Sequence, residues 1–61
     1  MDDAQLTELK RIVIEIGRLR QKVQVLAPSE VARLYLVDAV DDLKEAVRDL
    51  SHVVAIEDKN G

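Results

Sequence analysis

The chain has 61 residues, 48% hydrophobic and 34% charged, with a formal net charge of −3, no cysteine and one aromatic residue. At that length disulfides, metals or oligomerisation commonly supplement a thin core, and the lack of cysteine removes disulfides and thiolate metal sites, leaving oligomerisation as the expected source of extra buried surface. An apolar run such as Leu34 to Val37 is far short of the ~20 residues that cross a bilayer, and the acidic opening Met1-Asp2-Asp3 is unlike an export signal, so a cytoplasmic protein without membrane association is expected.

The first element is a helix over about residues 3–26. Asp2 or Asp3 can accept hydrogen bonds from the unpaired amides of its first turn and complement the positive end of its dipole. Leu9, Ile12, Ile16, Leu19, Val23 and Leu26 step by three and four, which places them on one helical face. Gly17 costs ~1 kcal/mol relative to alanine in a helix interior, and one reason to keep it is a close helix crossing.

Ala27-Pro28-Ser29 is the expected turn. Proline disfavours helical geometry in the residue before it, and Ser29 suits the cap of a following helix with Glu30 in its first turn. The second helix is expected over about 30–56, with Leu36, Val40, Leu43, Val47, Leu50 and Val54 as its seam. Glu57 to Gly61 offers no apolar anchor and reads as a frayed tail. Two helices of similar length joined by so short a turn must lie antiparallel. The expected fold is therefore an all-α, coiled-coil-like antiparallel two-helix hairpin forming a single domain over residues 1–61.

Two features of this hairpin point to self-association. Ala32, Ala39 and Ala46 recur every seven residues beside the leucines of the second seam and admit another helix at close range. Ile14, Val25, Leu34, Tyr35 and Val37 lie partly or wholly off the seams and call for further cover. A homodimeric four-helix bundle is the economical solution, and the same residues serve equally well to dock another protein.

Charge divides unevenly. Between Glu8 and Leu26 five basic residues outnumber two acids, a balance of +3, whereas between Glu30 and Asp58 eight acids outnumber three bases, a balance of −5. Such polarity favours pairing a basic helix with an acidic one. Alternatively, Arg11, Arg18 and Lys22 form a basic stripe able to meet nucleic-acid phosphates. The architecture is comparable to that of the plasmid repressor of primer, an RNA-binding helical dimer, although no sequence motif is shared and the one aromatic, Tyr35, lies on the other helix.

Asp38, Asp42, Glu45, Asp49 and His52 share a polar stripe on the second helix. Asp49-x-x-His52 has the carboxylate-histidine spacing of di-iron bundles, but the stripe lies opposite the seam, whereas those sites face the bundle interior. A solvated acidic face is the expected state, with no metal or other cofactor. Leu50-Ser51-His52 resembles the phosphoacceptor box of dimeric histidine kinases up to the histidine, but Val53-Val54-Ala55 follows where an acid and then an arginine and a proline belong. No nucleophile-base pairing, phosphate loop or concave pocket for a small-molecule substrate is expected in two helices. The sequence thus describes a non-enzymatic interaction module with itself and another protein as partners, and nucleic acid as the alternative.

Overall fold

A computed structural model describes residues 1–60. It contains two helices, α1 over Asp3–Gln24 and α2 over Glu30–Asn60, joined by a five-residue turn. At 1.5 Å rise per residue the longer helix alone accounts for the 47 Å long axis, and the other extents are 14 and 11 Å, the thickness of one pair of helices. The radius of gyration is 14.4 Å, against about 10.5 Å for a compact chain of this length. This is a rod.

The start of α1 is fixed by its own side chains. Asp2 stands in extended conformation before the helix, and its Oδ1 accepts the Gln5 backbone amide at 2.8 Å. Gln5 Oε1 accepts the Asp2 amide at 3.4 Å, closing a reciprocal capping box that occupies two donors the helix leaves unpaired. Helix α1 stops at Gln24, two residues earlier than expected: Val25 closes it, and the Leu26 amide donates to the Val23 carbonyl at 3.1 Å in a tightened last turn. The connection before α2 therefore spans five residues rather than three, with Pro28 restricting Ala27 within it. At the start of α2 the Ser29 carbonyl accepts the Arg33 amide at 2.9 Å, the first rung of the ladder.

The end of α2 corrects the expectation of a frayed tail. Glu57 to Asn60 continues the helix, and two of its charges find partners, one at the N-terminus of the chain and one on α1. The N-terminal amine lies 3.6 Å from Glu57 Oε2, and Lys10 Nζ lies 3.2 Å from Asp58 Oδ1. Surface pairs of this kind, one half-buried and one exposed, contribute only up to ~1 kcal/mol each, yet a terminal turn needs little to hold it. These contacts also establish the antiparallel sense of the hairpin.

Between the helices α2 presents the expected seam: Leu36, Leu43, Val47, Leu50 and Val54 are half-buried, and Val40 is the one buried residue among those described, at 8% exposure. The α1 seam differs. Its half-buried side chains are Leu6, Leu9, Val13, Ile16, Arg20 and Val23, whereas Ile12, Leu19 and Leu26 are exposed, Leu19 at 55%. Both sets step by three and four and share Leu9, Ile16 and Val23. The helix has rotated so that the row containing Val13 and Arg20, rather than the row containing Ile12 and Leu19, faces α2.

Gly17 marks no close crossing within the hairpin, since a Cβ built on it meets nothing within 4 Å. Its φ is not positive, so the position needs neither the space nor the conformational freedom of glycine. We expect Gly17→Ala to raise unfolding free energy by about 0.5–1 kcal/mol and Asp2→Ala to lower it by about 1 kcal/mol, both measured by urea denaturation followed by circular dichroism at one fixed chain concentration.

Candidate interaction surfaces

Two antiparallel helices bury one stripe each and leave two broad faces, one on either side of the plane that contains both axes. Residues seven apart form rows along a helix, so the composition of each face follows from the row flanking each seam. On one side α1 contributes Ile12 and Leu19, and α2 contributes Ala32, Ala39, Ala46 and Val53; Leu26, past the end of α1, lines a groove on the other side. All of these are exposed except Ala46, which is half-buried. This alanine face is apolar over most of the length of the hairpin.

The opposite face is mixed. Its α1 row is Lys10, Gly17 and Gln24, and its α2 row is Val37, Lys44, Ser51 and Asp58, with the Lys10–Asp58 ion pair crossing it. Two open grooves run along it. One, of about 390 Å³, lies toward the turn and is lined by Gln24, Val37, Val40 and Lys44 among others. The second, of about 250 Å³, lies between Lys10, Val13, Ile14, Ser51 and Val54. The Ser51 hydroxyl is turned inward, donating to the Val47 carbonyl at 2.7 Å.

The off-seam residues do not converge on one surface. Ile14 and Val37 line different grooves on the mixed face, and Leu34 lies one row farther round on the same side. Tyr35 sits beyond the alanine column on the other side, and Val25 is in the turn. What unites Val25, Leu34, Tyr35 and Val37 is position along the rod: all are at the turn end. Val31 joins them there, and Val25 and Tyr35 are 80% and 76% exposed. The first two turns of α2 are thus apolar nearly all round, a pattern that in folded proteins accompanies burial on several sides.

The polar constellations are also dispersed. Arg11 and Arg18 share a row on the back of α1, with Lys22 in the adjacent row behind Glu8 and Glu15. Arg11 is held by the Glu8 carboxylate. Its guanidinium pKa is raised, first by that hydrogen bond, then by the charges of Glu8 and Glu15. Asp38, Asp42, Glu45, Asp49 and His52 are all exposed on α2. Among the described residues no three histidine or acidic side chains converge to hold a metal ion. Nor is any helix among them long and apolar enough to cross a membrane.

Arg20 is the feature least visible in the sequence. It occupies a seam position, half-buried, with Nη1 3.4 Å from Gln24 Oε1. Its only local signal is the three-four spacing from Val13, Ile16 and Val23, masked by its charge. Comparison with known protein families, characterised proteins and solved structures finds no match to this chain. The chain is a small all-α hairpin, and its surfaces carry any functional reading.

A polar group at one seam position commonly fixes register at a cost in stability. Arg20→Leu is therefore expected to raise the unfolding free energy by ~1 kcal/mol or more through added apolar burial, and to broaden the distribution of oligomeric states in sedimentation velocity.

Proposed function

We propose that this protein is a non-enzymatic interaction module that works through helix packing, pairing with a second copy as a four-helix bundle and docking another protein at its turn end. The observation that carries this reading is the amount of surface left uncovered. The hairpin exposes 4895 Å², where a folded monomer of 6.9 kDa exposes about 4,000 Å². The same scaling requires two copies to bury about 3,200 Å² between them to become an ordinary globular dimer, which lies within the range of obligate homodimer interfaces. The apolar turn end, with Val25, Val31, Leu34 and Tyr35 on several sides, suits insertion into a groove of another protein better than packing against one flat face.

Nucleic acid is the weaker candidate. Glu8 and Glu15 stand among Arg11, Arg18 and Lys22, and Arg11 is already engaged by Glu8, so a phosphate would have to displace an existing carboxylate partner.

Sedimentation equilibrium, with helicity followed over the same concentrations, tests the first half of the proposal. A helical dimer is expected, and a well-folded monomer at all concentrations would sink it. For the second half, Leu34→Asp with Tyr35→Asp is expected to abolish capture of a protein partner while leaving the dimer intact. Replacing Arg11, Arg18 and Lys22 by glutamine should leave that capture unchanged. If the glutamine variant instead loses a salt-sensitive complex with nucleic acid, the protein-docking reading fails.

A further inference from the structure

We infer that the second copy seats on the alanine face, with α1 of each hairpin lying antiparallel on α2 of the other and both turns at the same end of the bundle. The inference rests on the pairing proposed above and specifies its geometry. The alanine face supplies what the uncovered area demands. Its two rows are almost wholly apolar, whereas the opposite face carries Lys10, Gln24, Lys44 and Asp58 in the corresponding rows.

Two hairpins stacked face to face by a two-fold axis have two possible arrangements. An axis running along the helices places α1 on the partner's α2, antiparallel, with the two turns together. An axis across the helices places α1 on the partner's α1 and α2 on the partner's α2, with the turns at opposite ends. Charge separates them. The rows of α2 bordering the alanine face hold Asp42 and Asp49, with Asp38 and Glu45 behind them. The like-on-like arrangement sets these four acids against the same four acids. The crossed arrangement sets them beside the α1 row Glu8, Glu15 and Lys22, with Arg11 and Arg18 one row behind it, a margin of three bases and two acids rather than of acids alone.

Side-chain size agrees with charge. In the crossed arrangement the large side chains of Ile12 and Leu19 meet the alanine column, so that bulky side chains oppose small ones and the backbones approach closely. In the like-on-like arrangement large meets large on one side and small meets small on the other.

The chain has no cysteine, so a single spin label at Ala27→Cys, in the exposed turn, reports the arrangement through pulsed dipolar spectroscopy of the full chain. Helices packed 8–10 Å apart place two turns at the same end within about 30 Å, label arms included. Turns at opposite ends are separated by about the 47 Å length of the hairpin. The short distance is expected, together with a loss of association of about 100-fold or more on Leu19→Glu, whose side chain is exposed in the single hairpin. A distance near the hairpin length, or a dimer indifferent to Leu19→Glu, overturns this geometry while leaving dimerisation in place. A monomer under all conditions removes both.

Discussion

Everything in this structure follows from how little two helices can hide from water. Each helix can turn only one stripe toward its neighbour, and in proteins most helical stability comes from packing such an amphipathic face rather than from propensity. The result is a seam of half-buried side chains with Val40 alone fully enclosed. A seam that thin places unusual weight on its ends. The Asp2–Gln5 capping box and the Glu57 and Asp58 contacts hold the terminal turns, where a larger protein would rely on its core.

The same limit explains why the outward surface is the informative part of the molecule. Helix α1 carries three adjacent apolar rows where one neighbouring helix needs two, and α2 adds an alanine column that the hairpin uses only at Ala46. Such a surplus has a cost in solubility and aggregation if it serves no contact. The two faces of the rod differ sharply in chemistry, and its turn end differs from both. The rod therefore carries three chemically distinct surfaces despite its size.

The second helix was legible in the sequence because its leucine and valine rows have no apolar competitor of equal bulk. The first was legible as a helix but not in its rotation. Ile12 and Leu19 on one side and Val13 and Arg20 on the other complete equally regular ladders through Leu9, Ile16 and Val23, and the purely apolar ladder is the more persuasive one to read. Which ladder faces α2 depends on the register set by contacts distant in sequence, such as Lys10 with Asp58. The helical tail escaped for the same reason: Glu57 and Asp58 look unanchored locally, and their partners lie near the start of the chain. The off-seam residues were recognisable as uncovered, but their distribution over different sides of the rod needed the rotation of both helices. Gly17 suggested a crossing, and the open space above it shows none within the hairpin.

The 3.6 Å approach of the N-terminal amine to Glu57 brings the beginning of the chain beside the end of α2, with the apolar turn a full rod length away. Anything joined to either end, whether a solid support, a fluorophore or another protein, sits on the side remote from Val25 and Tyr35. An array of hairpins anchored through their ends would stand like bristles, every apolar turn facing outward, and immobilisation would leave the turn end free without any change to the chain itself.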